Sequence, residues 1–407
     1  MIVENDKYEV EIINQGSNGR GICKINNFVV FVENALPGEV CDIKIINVKK
    51  NYAEAVVQKI KKESQDRVIP KCEFYYECGG CNIMHQNYSS QLEFKKKKVE
   101  NLMSKIGKQE LSISDVNKSE QFNYRNKVTL KVKDGVLGFY KSKTNEIVEI
   151  DKCLIASDLI NDTIAKIKSS LIKSDNIENL IIKEFDNSSM VSFDSSSMSK
   201  DDIERFIDVS DNIVFNDEVI KGNNKVVSTI SSIKYVSSHK SFTQVNKFLT
   251  ESLYKKAINH TPITNDGVAL ELYSGVGVMS LLLSSKFNKV IGVEINESSF
   301  LDAEYNTSLN NISNVKFYKG DANKFRPQEE IDFLVADPPR VGLTKRGIEN
   351  IGNIKPSNIV YISCNPATLA RDVDLLSNYG YKLNEISLFD MFPNTNHVEC
   401  VVLLVRK

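Results

Sequence analysis

Two residues near the C-terminus have the types that covalent catalysis uses. Cys364 closes the apolar run "VYIS", and Asn365 and Pro366 then end the pattern. Glu399 follows in "NHVECV". Free cysteine is among the most buried residue types, so packing alone would account for Cys364. Held at the mouth of a site, the thiol would be a nucleophile and Glu399 its partner general base. A second set, Cys72, Cys78, Cys81 and Cys153, has the chemistry to hold zinc or an iron–sulfur cluster. In a cytosolic chain of 407 residues, clustered cysteines point to metal or catalysis before disulfides.

The elements that would position these groups are legible. From about Thr264, apolar strand segments ("GVALELY", "KVIGVEI", "VKFYKG", "IDFLVAD", "NIVYISC") alternate with helical stretches, and "HVECVVLLVRK" reads as a final strand. That alternation predicts a doubly wound parallel sheet, with Cys364 ending its fifth strand at the edge where ligands bind. Strand alternation turns Cys400 away from the side on which Glu399 stands. Cys23, Cys41 and Cys400 are expected to be ordinary buried thiols.

"LELYSGVGVM" places Glu271, Gly275 and Gly277 between the first strand and a helix. Glycines there permit a sharp turn and close approach to a ligand. The order is E-x-x-x-G-x-G, which differs from the dinucleotide pattern. Glu294 ends the second strand, where a carboxylate can accept ribose hydroxyls. Asp321 follows the third strand and is expected near an adenine edge; Asp337, in "VADPPR", ends the fourth. Glycine or acidic features at four successive strand ends resemble class I S-adenosylmethionine-dependent methyltransferases. The alternative is a Rossmann-like domain with another ligand or none.

Amino-methyltransferases carry an aromatic residue where this chain has Arg340, after "DPP". That counts against exocyclic amines as the target. Carbon 5 of uracil is a poor nucleophile, and methylating it demands one thiolate and one base. "SFTQVN", "LYSGVG", "DPPR", "SCNPATLARD" and "HVE" occur in the order found in the RNA 5-methyluridine methyltransferases, which this chain resembles over nearly its whole length. The resemblance implies Cys364 as nucleophile and Glu399 as general base. It implies that Gln244, Tyr273, Glu294 and Asp337 line the cofactor and target-base site, with Gly275, Gly277 and Asp321 on the cofactor. Phe242 would stack on the base, and Arg125 in "YRNK" matches an RNA-contact position. Ser274 replaces a cysteine common in relatives, a change that leaves the chemistry alone. Taken singly, Gln244 reads as a surface polar group and Tyr273 as core packing.

Cys72, Cys78 and Cys81 follow C-x5-C-x2-C, and Cys153 stands apart in "IDKCLIA". This spacing resembles the [4Fe–4S] site of the ribosomal RNA branch, although Met84 precedes His85 where the family often has Gln. His85 is read as structural. The radical S-adenosylmethionine motif is C-x3-C-x2-C, and four ligands leave no open iron, so a structural cluster is expected. The implied substrate is a uridine in 23S ribosomal RNA. Transfer RNA is the alternative, and a non-catalytic RNA-binding iron–sulfur protein is an alternative of another class.

Residues 1–62 read as a five-stranded oligonucleotide-binding-like barrel, and through "GSNGRG", "FVENALPGE" and "KKNYAEA" this barrel resembles a TRAM domain. Residues 63–235 are expected to form a central α+β domain carrying the cysteines. Its amphipathic helix 91–107 is expected to pack on the catalytic domain, residues 236–407. Net charge is −1, but residues 41–108 hold 14 Lys/Arg against 8 Asp/Glu, which suits a phosphate-rich partner. A polar N-terminus and the lack of any ~18-residue apolar run predict a cytoplasmic protein without a membrane span, and a monomer is expected.

Overall fold

The computed structural model describes residues 2–186, 188–261 and 264–407. Seven strands build the C-terminal sheet: β1 (Thr264–Leu272), β2 (Phe287–Glu294), β3 (Val315–Lys319), β4 (Phe333–Ala336), β5 (Asn358–Ser363), β6 (Tyr381–Phe389) and β7 (Glu399–Arg406). Their order is β3-β2-β1-β4-β5-β7-β6. β1 to β5 are parallel, and β7 runs antiparallel between β5 and β6. The strand order reverses between β1 and β4, which opens a crevice at their carboxyl ends.

Residues Phe333–Ala336 are buried along the whole of β4, because helices cover both faces. Alternate residues feed two apolar layers. Leu272, Val293 and Tyr361 enter one; Ala269, Val290, Val360 and Ile362 enter the other. The first layer also takes Leu92, Val99 and Met103 from helix Tyr88–Lys105. That helix begins three residues before the expected start, because Asn87 caps it by accepting the Ser90 N–H at 2.9 Å. Strand Val116–Asn117 adds to the same sheet in parallel with β6. Segments that precede the central domain in sequence thus belong to the catalytic core.

The central domain is a seven-stranded sheet running from Lys127 to Lys221, packed on helix Asp158–Ser170. A separate hairpin, Lys225–Ile230 with Ile233–Ser238, docks on helix Glu297–Leu309. Val236 N–H donates to Asn306 Oδ1 at 2.7 Å and Ser238 N–H to Asp302 Oδ2 at 2.8 Å. A boundary at 235/236 therefore cuts a strand that leans on the catalytic domain.

The N-terminal unit has six strands, the extra one being the two-residue Asn14–Gln15. Register shifts between Val40–Val48 and Tyr52–Lys62 bend the sheet. Its alternate residues, among them Ile12, Val30, Ile43 and Ala53, then meet in one core. No helix among the described residues is long and apolar enough to cross a membrane.

Candidate active site

A cavity of about 910 Å³ opens at the carboxyl ends of β1, β2, β4 and β5. Of the residues expected at the site, Phe242, Gln244, Tyr273, Gly275, Glu294, Asp337, Cys364 and Glu399 line it.

The turn after β1 shapes one wall. Tyr273, Gly275 and Gly277 all have positive φ (65°, 53° and 85°). A Cβ on Gly277 would lie 2.5 Å from the Phe317 ring, so only glycine fits there, whereas Gly275 faces open space. The Glu294 carboxylate accepts the Gly275 N–H at 2.8 Å and the Asn296 N–H at 2.7 Å, which ties the loops after β1 and β2 together. Asp321 is not on the cavity wall; Asn323 is. Asp321 Oδ1 accepts Asn323 N–H at 2.9 Å and Nδ2–H at 2.7 Å, so it holds the residue that reaches the cavity. Ile295, 66% exposed beside Glu294, adds an apolar face on which a purine could pack.

Carboxyls crowd the floor. Glu271 receives the Ser280 hydroxyl hydrogen bond, and burial pushes it up to about 8, with Asp337 and Glu294 adding repulsion. Burial pushes Asp337 up to about 7, opposed by Gln244, whose Nε2–H donates to Asp337 Oδ2 at 3.4 Å. Glu399 is 3% exposed; burial and then Asp337 raise it well above the usual carboxylate range. Burial, Glu399 and Asp337 push the Cys364 thiol up to about 12. The Arg340 guanidinium opposes both shifts.

Local structure puts Cys364 at this edge. It is the first residue past β5, and Asn365 caps the next helix, with Pro366 at its first position. Asn365 Nδ2–H donates to the Arg340 carbonyl at 2.9 Å, joining the turn after β5 to the "DPPR" turn. Cys400 points into the opposite apolar layer. Cys23, Cys41 and Cys400 are all buried.

The segment 238–246 comes from the domain junction. Lys183, buried at 2% exposure, donates to the Ser238 and Ser241 carbonyls at 2.7 and 2.8 Å. Phe242 is left 62% exposed and lines two cavities at once.

The second cavity, about 390 Å³, is lined by Cys72, Cys78, Cys81 and Cys153 together with Phe74, Tyr75, Met84 and Ile155. Among the described residues, no three His, Cys, Asp or Glu close on a single ion-binding point. Burial raises the Cys81 thiol, and the neighbouring Cys153, Cys78 and Cys72 thiols add to the shift. Arg125 lines this cavity, not the catalytic one, and its Nε–H donates to the Lys127 carbonyl at 2.9 Å. His85 is buried, with Nδ1 2.6 Å from the Tyr75 hydroxyl, as a structural residue would be.

Glu271 of the E-x-x-x-G-x-G pattern lines the catalytic cavity, and so do Asn323, Ile295, Tyr254 and Arg340, to which the sequence assigns no role there. Arg340 belongs to the "DPPR" motif; Ile295, Asn323 and Tyr254 carry no signal in their type.

The family model for tRNA (uracil-5-)-methyltransferase matches residues 208–407, and the TRAM domain model matches residues 4–57. An uncharacterized RNA methyltransferase of Clostridium acetobutylicum is 36% identical, covering 100% of this chain and 98% of its own. One of Listeria innocua is 33% identical, covering 100% and 99%. The crystal structure of Pyrococcus abyssi tRNA (uracil-54, C5)-methyltransferase in complex with S-adenosyl-L-homocysteine matches with a TM-score of 0.81 at 27% identity, covering 98% of this chain and 99% of that one. These matches establish that the chain belongs to the S-adenosylmethionine-dependent RNA uracil-5-methyltransferase family.

Proposed function

We propose that this chain methylates C5 of a uridine in 23S ribosomal RNA through a covalent adduct at Cys364. The observation that carries the reading is that Cys364 and Glu399 line one cavity with Asp337 and the glycine loop. The Cys364 thiolate adds to C6, which turns C5 into an enolate-like carbon. The cofactor, when bound, supplies the methyl as a sulfonium. C5 then carries both a methyl and a proton. Glu399 takes the proton, the electron pair restores the C5–C6 double bond, and the thiolate leaves. Arg340 favours the charged form of both groups. Phe242 stacks on the uracil once it leaves its helix, and Gln244 with Asp337 meets its polar edge.

We assign Cys72, Cys78, Cys81 and Cys153 to a structural [4Fe–4S] cluster. What supports the assignment is that all four thiols line one cavity. The thiols favour the ribosomal branch. Two names favour transfer RNA: the matching family model is that of tRNA (uracil-5-)-methyltransferase, and the solved relative is a tRNA (uracil-54, C5)-methyltransferase.

The test is methyl transfer from labelled cofactor to unmodified 23S ribosomal RNA and to transfer RNA transcripts. Incorporation into a 23S fragment supports the reading, and incorporation into transfer RNA alone overturns it. Iron with absorbance at about 400 nm supports the cluster, and stoichiometric zinc overturns it.

A further inference from the structure

The loop between β6 and β7, residues 390–398, leads directly into Glu399. Beyond its own turn, in which the Thr395 N–H and hydroxyl donate to the Phe392 carbonyl at 3.2 and 2.8 Å, the loop is bound to elements from distant parts of the chain. The Lys95–Asp390 ion pair is fully buried, and Lys95 Nζ–H also donates to the Phe392 carbonyl at 3.1 Å. Tyr124 donates to the Pro393 carbonyl at 3.2 Å, and Lys98 to the Asn396 carbonyl at 2.7 Å.

Two asparagines do most of the fastening. Asn394 has a left-handed φ of 66° and is 1% exposed. Its N–H donates to Gln91 Oε1 at 2.9 Å and its Nδ2–H to the Gln121 carbonyl at 2.8 Å. Its carbonyl accepts both the Asn82 and Ile83 N–H groups at 3.1 Å. Asn396 and Asn82 form a reciprocal pair. Asn396 N–H donates to Asn82 Oδ1 at 2.8 Å, and Asn82 Nδ2–H donates to Asn396 Oδ1 at 2.9 Å. Asn396 Nδ2–H reaches on to the Ser17 carbonyl in a turn of the N-terminal barrel, at 3.2 Å. Asn82 is the residue after Cys81. One loop thus joins the barrel, the cysteine segment, helix Tyr88–Lys105 and the strand that carries Glu399.

We propose that Asn82 and Asn396 are positioning residues that fix Glu399 for removal of the C5 proton. The proposal rests on the reading of Glu399 as the base. Neither asparagine lines the catalytic cavity, so neither meets the cofactor or the reacting atoms. Loosening the loop shifts the carboxylate, and a misplacement of ~1 Å costs a catalytic step ~100-fold. Adduct formation uses Cys364 and does not draw on Glu399, so it is spared. The side chains of the pair interact at the protein surface, so losing them leaves the fold intact.

The experiment measures covalent RNA adduct and turnover for Asn82→Ala, Asn396→Ala, the double variant and Glu399→Gln, in the full-length protein. Expected are turnover reduced about 10- to 100-fold, adduct formed within about twofold of the native rate, and adduct accumulating at steady state. Asn82→Ala removes both bonds of the pair, whereas Asn396→Ala removes one of them and the Ser17 contact, so the double variant is expected to lose less than the product of the two single effects. RNA and cofactor affinities stay at native values. Unchanged turnover, or reduced turnover without adduct accumulation, overturns the proposal. Glu399→Gln separates the two ideas. If it accumulates adduct and the asparagine variants do not, the positioning role alone fails. If it accumulates none, the base assignment fails and takes the positioning role with it.

Discussion

The catalytic cavity and the cysteine cavity share a wall at Phe242 but are assembled in different ways. Gly275, Glu294, Asp337 and Cys364 each lie within a few residues of a strand's carboxyl end, in one sheet whose register brings those ends together. The cysteine cavity has no such frame. Its thiols come from the irregular segment 72–81 and from Cys153, seventy-odd residues on. Regular structure preorganises the first site, whereas the second is assembled from irregular segments.

Breaking that contrast starts with the nucleophile. Cys364→Ala is expected to reduce methylation on the order of 10⁵-fold with the melting temperature unchanged, read by labelled-methyl incorporation and thermal unfolding. Cys81→Ser reverses the pattern. It is expected to lose iron and to destabilise the protein by several kcal/mol, with activity falling as a consequence. Denaturant titration with metal analysis checks it. A Cys81→Ser protein as stable as the native one would erase the distinction between the two cavities.

Glu294→Ala is expected to weaken cofactor binding about 10- to 100-fold, the worth of lost charge-assisted hydrogen bonds, measured by calorimetry. Phe242→Ala is expected to cost ~1–3 kcal/mol in RNA binding, the worth of one stacked base. The smallest effect concerns pH. Asp337 at about 7 and Glu271 at about 8 are largely protonated at pH 6 and ionise as pH rises. A cationic sulfonium favours the ionised carboxylates, so cofactor affinity should rise severalfold from pH 6 to 8 with proton release. Titrations in two buffers of different protonation enthalpy read both.

What was legible in the sequence follows the same division. Gly275 and Gly277 could be placed on a turn because glycines between a strand and a helix permit one, and both have positive φ; the Phe317 ring packed against Gly277 has no sequence signal. Glu399 and Cys400 could be assigned to opposite faces because strand alternation is a local rule. Asn394 could not be recognised. Its partner Gln91 is 303 residues away, and nothing in an asparagine's type announces that contact. Asp321 was placed one step too close, because the carboxylate grips Asn323 and Asn323 reaches the cavity. The 235/236 boundary missed because strand Ile233–Ser238 pairs locally but packs on a distant helix. The sixth barrel strand spans only two residues, too short for any periodicity.

The central claim is that Cys364 bonds to the target uridine, and 5-fluorouridine RNA tests it directly. Fluorine at C5 leaves Glu399 no proton to remove, so the adduct cannot resolve. A cofactor-dependent RNA–protein species is expected, whose tryptic digest carries the nucleotide on Cys364. A nucleotide found on another residue, or turnover of the fluorinated RNA with no covalent species, would contradict it.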